Sequence, residues 1–120
     1  MSLQSVAKQF VDLCNQGKNF DVMQTMYAPD IVSVEASGNE TAGQEAVIQK
    51  SKNWAAGLTL HGEKVRGPFF NGPNQFAVHF TFEVTPKATG QRVTQEEVGV
   101  YTVNAADKIV REQFFYEGNW

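Results

Sequence analysis

The sequence predicts an α+β domain in which three N-terminal helices pack on a strongly curved antiparallel sheet. Apolar residues recur at helical spacing as far as residue 56 and at every second position afterwards. Clusters of Gly, Pro and Asn separate the later segments, as turns separate long strands. Helices followed by a meander of strands are typical of segregated α and β layers. One such domain accounts for residues 1–120.

The first two helices are predicted from their apolar spacing and from the residues that end them. Ser2 is placed to cap the first helix, and Gly17 is placed to end it. The second helix covers Phe20–Tyr27 and stops before Pro29, because proline disfavours helix in the residue that precedes it. The β-branched run Ile31–Glu35 then predicts a first strand.

The third helix is expected over Gly43–Ala56, with Thr41 and Gln44 at capping-box spacing. Four long strands follow it, at Leu58–Phe70, Gln75–Thr85, Arg92–Val103 and Lys108–Tyr116. The second of the four alternates most clearly. Its apolar face carries Phe76, Val78, Phe80, Phe82 and Val84, and its other face carries Ala77, His79, Thr81, Glu83 and Thr85. The apolar face is expected to lie against the helices.

Composition and charge exclude several classes of protein. The formal net charge is −3 and the ten Lys and Arg residues are scattered, so a nucleic-acid partner is not expected. No apolar run reaches membrane-spanning length and the first residues do not resemble a signal peptide, so we expect no membrane partner and a cytoplasmic location. Cys14 is the single cysteine, so an intrachain disulfide cannot form.

Five short segments together resemble the nuclear transport factor 2-like superfamily, and within it the uncharacterised SnoaL-like proteins. They are Phe10–Gly17, Tyr27–Val32, Gly43–Val47, Glu97–Val103 and Phe114–Tyr116. The resemblance implies a cystatin-like cone, in which a bent sheet wraps around the first helix and a pocket opens at the wide end. It also implies a homodimer through the outer sheet face. It implies no particular reaction, because this fold serves many functions.

The resemblance includes the ketosteroid isomerases, whose site can be tested by position. The positions that match their aspartate base, tyrosine donor and second aspartate are Glu35, Phe10 and Gly99. Only the carboxylate is retained, so an enolate would lack the two hydrogen-bond donors that provide much of the rate. Steroid isomerisation is therefore not expected.

Strand alternation predicts an acidic cluster inside the cone. If Phe80 and Phe82 face inward, the same face of the next strands carries the candidate catalytic residues, which are Glu97, Tyr101, Glu112 and Tyr116, with Glu35 opposite. Carboxylates desolvated near one another cannot all stay ionised, and at least one pKa rises towards neutrality, as a general acid or base requires.

Each glutamate also has a structural alternative. Glu35 shares a strand face with Ser33 and could point to solvent. A register slip of one residue would bring Glu96 inward instead of Glu97. Glu112 could pair across the sheet with one of three basic residues, Lys64, Arg66 or Arg111.

The predicted substrate-binding walls are aromatic and apolar: Phe10, Tyr27, Trp54, Phe76, Val78, Phe80, Phe82 and Phe114. For Tyr27 and Trp54, core packing is an equal alternative. His61 shares a period-two face with Glu63, which favours either an acid–base pair at the pocket mouth or a surface salt bridge. His79 falls on the opposite face, so no metal site is expected. The closing segment, residues 118–120, is placed either across the mouth or free of the domain.

Two functions remain open. The first is a small-molecule pocket protein that binds an apolar or aromatic organic compound and, if it is an enzyme, transfers protons without a cofactor in an isomerisation, cyclisation or dehydration. The second is a non-catalytic ligand-binding or dimerisation module, with a filled cone and a working surface around His79, Thr81 and Glu83. An open cavity with converging polar groups favours the first.

Overall fold

The computed structural model describes residues 2–118, which form three helices and one six-stranded sheet. The elements in chain order are α1 (Leu3–Asn15), α2 (Asn19–Thr25), β1 (Tyr27–Val34), β2 (Glu40–Ala42), α3 (Gln44–Ala56), β3 (Leu58–Asn71), β4 (Gln75–Pro86), β5 (Val93–Val103) and β6 (Ile109–Phe115). The strand order is β2-β1-β6-β5-β4-β3, and all neighbours are antiparallel except β1 and β6. The predicted α+β class is confirmed.

Both ends of α1 follow the prediction. The Ser2 hydroxyl accepts a hydrogen bond from the Ser5 backbone N–H, and the Ser5 hydroxyl accepts one from Ser2 in return. At the other end, Gly17 has a φ of +75°, a conformation that favours glycine, and its N–H donates to the Cys14 carbonyl. The helix is therefore closed by hydrogen bonds at each terminus.

The entry to α3 differs from the prediction. Thr41 lies in β2, and the N-cap is Gly43, which has no side-chain capping bond. The Gln44 amide instead donates to the carbonyls of Met23 and Gln24, at 2.8 and 3.1 Å. The capping-box prediction was wrong because this side chain connects α3 to the end of α2.

The first strand begins earlier than expected and includes Pro29. Its pairing with β6 is interrupted between Tyr27 and Val32, where a proline costs no ladder hydrogen bond. The short strand β2 was not predicted, since three exposed or half-buried residues carry no alternation signal.

The inner face of the sheet has the register that the alternation predicted. Phe80 lies opposite Glu97, and Tyr101 lies between Phe76 on one side and Glu112 on the other. Irregularities in β3 at Leu60/Gly62 and Arg66/Phe69 interrupt its pairing with β4, and such bulges bend a strand. The sheet therefore curves around the helices as a cone does.

Helix α1 packs against the inner face of the sheet. The Phe10 ring contacts Phe76 at 5.4 Å and Tyr101 at 4.5 Å between centroids. Phe76 and Val78 are fully buried in this core, beneath α1.

No helix within residues 2–118 is long and apolar enough to cross a membrane. The prediction for the closing segment concerns residues 118–120, of which Asn119 and Trp120 lie outside the described residues.

Candidate functional site

A cavity of about 290 Å³ lies between the helices and the inner face of the sheet. This volume is at the small end of the range for ligand pockets and suits a molecule of one or two rings. Apolar side chains make most of its wall. From the predicted walls, the structure places Phe10, Tyr27, Trp54, Phe80, Phe82 and Phe114 on the cavity.

Three of these rings form one aromatic wall. Phe80 and Phe82 stack with centroids 5.4 Å apart, and Trp54 meets Phe82 edge-on at 5.4 Å. Phe76 and Val78 do not line the cavity, because α1 covers this end of the sheet face and Phe10 rests on Phe76. Period-two spacing identified the correct face of the strand, but it does not indicate which part of that face a helix packs against.

His61 is also away from the cavity. It is exposed, and its Nε2 lies 2.7 Å from the hydroxyl of Thr85, so both side chains are on the face of the sheet that is turned away from the cavity. Glu63 lines the cavity and accepts a hydrogen bond from the Asn19 amide at 2.8 Å. The irregularity between Leu60 and Gly62 breaks the period-two relation, so the predicted His61–Glu63 pair does not form.

Glu112 is the most enclosed carboxyl group of the site. It is 2% exposed and accepts a short hydrogen bond from the Tyr27 hydroxyl. Burial raises the pKa of Glu112, and hydrogen bonds from Ser33 and Tyr27 oppose that rise. Arg111 faces outward, and Lys64 and Arg66 lie on β3, three strands away from β6, so the alternative of a cross-sheet pair with a basic residue was wrong.

Lys50 brings a positive charge into the acidic cluster. Its Nζ lies 2.6 Å from Glu35 Oε1 and 2.6 Å from the Ser33 hydroxyl, above the Phe114 ring. The second oxygen of Glu35 accepts a hydrogen bond from the Tyr116 hydroxyl at 3.0 Å. Glu35 therefore faces the cavity, with Ser33 on the same side of β1, and is not turned to solvent.

Glu97 also lines the cavity, whereas the side chain of its neighbour Glu96 is 62% exposed, so the register-slip alternative was wrong. Burial raises the pKa of Glu97 to about 7, and the nearby carboxylates of Glu35, Glu112 and Glu63 add to this rise. Lys50 acts in the opposite direction. Close to neutral pH, the carboxyl group is therefore able both to take up and to release a proton.

The Tyr101 ring occupies the space above Gly99. A Cβ atom at Gly99 would lie 2.9 Å from the Tyr101 hydroxyl and 2.8 Å from its Cε2, closer than atoms pack. Burial, followed by the charge of Glu112, raises the pKa of Tyr101 well above 10. The hydroxyl is therefore protonated at neutral pH and able to donate a hydrogen bond over the glycine.

Several polar residues of the site were not predicted. Lys50 follows the buried Val47 by three residues and precedes Trp54 by four, a spacing that indicates the same helix face. Gln95 precedes Glu97 by two on the inner face of β5 and is 2% exposed. Within residues 2–118, no group of three or more His, Cys, Asp or Glu is arranged to hold a metal ion.

Comparison with known proteins assigns the family. The model of the SnoaL-like domain matches residues 1–116, so the chain belongs to the SnoaL-like family. A crystal structure from Mesorhizobium loti, of a protein provisionally described as a SnoaL-like polyketide cyclase, is 45% identical. The match covers 97% of this chain and 100% of that one, with a TM-score of 0.91. No curated protein matches the chain.

More distant structures show the same nuclear transport factor 2-like fold. A Mycobacterium tuberculosis protein in complex with estradiol-17β-hemisuccinate is 20% identical, with a TM-score of 0.74 and coverage of 98% of this chain and 95% of that one. The epoxide hydrolase/cyclase-like enzyme SalBIII, described for pyran ring formation in salinomycin, is 15% identical, with a TM-score of 0.72 and the same two coverages. The predicted cone is confirmed by these structures.

Proposed function

We propose that this protein binds a small apolar or aromatic organic compound and transfers a proton on it without a cofactor, as in an isomerisation, cyclisation or dehydration. The observation that carries the proposal is the convergence of three carboxyl groups, Glu35, Glu97 and Glu112, and one ammonium group, Lys50, on an aromatic-walled cavity. The relatives described as a SnoaL-like polyketide cyclase and as an epoxide hydrolase/cyclase-like enzyme support a small organic compound as the ligand.

Glu97 is the proposed base. Its carboxylate removes a proton from a carbon next to a carbonyl group, and the electron pair of the broken C–H bond moves to the carbonyl oxygen to give an enolate. The protonated Glu97 then returns the proton to another carbon of the same molecule. In D₂O the protonated Glu97 exchanges its proton with solvent before the return step, so deuterium is delivered to the carbon, and neither an oxidant nor a metal takes part.

Tyr101 is the proposed donor to the enolate oxygen. The Tyr101 hydroxyl lies above Gly99, and Gly99 stands between Tyr101 and Glu97 along β5. One small substrate therefore fits with its acidic carbon at Glu97 and its carbonyl oxygen at Tyr101. Lys50 adds a fixed positive charge that stabilises the developing negative charge. Two further carboxyl groups are proposed to position the base, the donor and the ammonium group. Glu35 is held by Lys50 and Tyr116, and Glu112 is held by Tyr27.

The experiment measures exchange of the α-protons of 2-tetralone, an apolar two-ring ketone, in D₂O by proton NMR. The wild-type protein is expected to accelerate exchange above the buffer rate. Glu97→Gln should reduce the accelerated rate by about 100-fold or more, the range that a general base contributes. Glu96→Gln is the matched control, because this glutamate is next in sequence but lies on the outer face.

The second candidate function, binding without turnover, is separated by the same experiment. If 2-tetralone binds in the cavity but exchanges at the buffer rate, the non-catalytic module is favoured. Equal acceleration by the wild-type protein and Glu97→Gln would contradict the role of this residue. The open cavity argues against the filled cone that a purely structural module would have.

A homodimer through the outer sheet face is part of the proposal. Val98 and Phe115 are paired in register on this face and are 37% and 50% exposed, and His79 lies opposite Val98. Sedimentation analysis should show a dimer for the wild-type chain and a shift towards monomer for Phe115→Lys. A monomeric wild-type protein would contradict the dimer but not the cavity chemistry.

A further inference from the structure

Gln95 has an unusual position in the cavity wall. It projects from the inner face of β5, opposite Phe82, and its side chain is almost fully removed from solvent. Within residues 2–118, its amide oxygen Oε1 has no hydrogen-bond partner. Every other buried side-chain nitrogen or oxygen of the described residues has a partner, including the carboxyl group of Glu112.

An unpartnered buried amide oxygen destabilises the protein without ligand. It loses its hydrogen bond to water on folding and gains none in return. Its surroundings are aromatic, since Phe82 stacks on Phe80 and meets Trp54. Rotation about the last side-chain torsion, which is broad for glutamine, would direct the amide towards a molecule in the cavity without moving the backbone.

We infer that Gln95 is the specificity residue of the cavity and accepts a hydrogen bond from a hydroxyl or N–H group carried on an apolar ring of the ligand. This inference rests on the proposed function only in that the ligand occupies the cavity. An apolar group at the same position would leave the amide oxygen unsatisfied, and a site of this kind discriminates against such a molecule.

The position of Gln95 also determines where the hydroxyl or N–H group of the ligand lies relative to Glu97, the proposed base. Residues 95 and 97 are neighbours on one face of β5, so their Cα atoms are about 7 Å apart, which is roughly the length of a fused two-ring system. A ligand held by its hydroxyl or N–H at Gln95 therefore presents its next ring to Glu97. The ligand class is a one- or two-ring compound with one hydrogen-bond donor at its edge.

The experiment compares 2-naphthol with 2-methylnaphthalene, which replaces the hydroxyl by a methyl group of similar size. Isothermal titration calorimetry gives the affinity ratio of the two probes for the wild-type protein and for Gln95→Met. The ratio in favour of 2-naphthol is expected to fall about tenfold in Gln95→Met, the equivalent of one hydrogen bond. Affinity for 2-methylnaphthalene should be unchanged or higher.

Gln113→Met is the matched control. Gln113 lies opposite Val100 in the β5–β6 ladder, on the face away from the cavity, and its substitution should leave the ratio at the wild-type value. Without ligand, Gln95→Met should melt at the same or a higher temperature than the wild-type protein, because an unpartnered acceptor is removed.

Two results would overturn the inference. An unchanged ratio in Gln95→Met, with both probes still binding, would show that the cavity binds ligands but that Gln95 does not select them. A melting temperature lowered by many degrees would show that the amide is satisfied in the unliganded protein. Failure of both probes to bind the wild-type protein would instead contradict the proposed function, and the inference with it.

Discussion

Replacing Glu97 by Gln should reduce the loss of folding stability that accompanies a rise in pH from 4.5 to 8. The substitution keeps the shape of the side chain and eliminates its ionisation. In the folded protein the pKa of Glu97 is about 7, against an ordinary value of 4.5. Burial is the main cause of this difference, so it exists only in the folded state.

The sign follows from proton uptake in the two states. Between about pH 4.5 and 7 the folded protein retains the proton of Glu97, whereas the unfolded chain has lost it. The unfolded state then binds fewer protons, so the free energy of unfolding falls as the pH rises through this window and is level above it. The difference between the two pKa values corresponds to about 3 kcal/mol, an upper limit because neighbouring carboxyl groups share the proton.

The assay is urea denaturation of wild type, Glu97→Gln and Glu96→Gln at pH 4.5 and pH 8. The wild-type protein should lose stability between the two conditions, and Glu97→Gln should lose up to about 3 kcal/mol less. At pH 8 the variant is therefore expected to be the more stable of the two. Glu96→Gln should follow the wild type, because Glu96 is exposed. The same pH dependence in wild type and Glu97→Gln would refute the reasoning.

Two further substitutions test the hydrogen bonds and packing of the site. Tyr27→Phe leaves the buried Glu112 without its phenol donor and should lower the free energy of unfolding by about 2 kcal/mol, measured by urea denaturation at pH 7; no loss would show that the bond contributes nothing. Gly99→Ala forces the Tyr101 ring to move and should cost about 1–3 kcal/mol, whereas Gly62→Ala, which meets nothing within 4 Å, should not. Equal effects of the two alanines would contradict the close approach of Tyr101.

The sheet could be predicted because apolar and polar residues alternate regularly along β4. Its inner residues are buried, its outer ones are half-buried, and the register to β5 follows from this alternation. The pairing of β1 with β6 could not be predicted in the same way, because it joins the two ends of the chain in parallel and contains an irregularity. The short strand β2 has too few residues to show a period.

Site residues were predicted correctly where strand alternation alone determines the direction of the side chain. Glu97, Tyr101 and Glu112 line the cavity because the pairing of β5 with both neighbouring strands keeps an unbroken register around them. His61 does not, because a bulge before Gly62 reverses the face, and local sequence does not show a bulge.

The polar residues that were missed have a different cause. A lysine on a helix is ordinarily solvated, so Lys50 shows its role only through its contact with Glu35 in the folded chain. Gln95 is neutral and resembles any strand glutamine. Only the absence of a hydrogen-bond partner to its amide oxygen among the described residues distinguishes it.

The most direct test of proton transfer in the cavity is the pH profile of 2-tetralone exchange catalysed by the wild-type protein. A base with a pKa of about 7 predicts a catalysed rate that rises with pH, is half-maximal near pH 7 and is level above it, and that Glu97→Gln abolishes. A catalysed rate that is already level at pH 5, or a profile that persists in Glu97→Gln, would contradict Glu97 as the base.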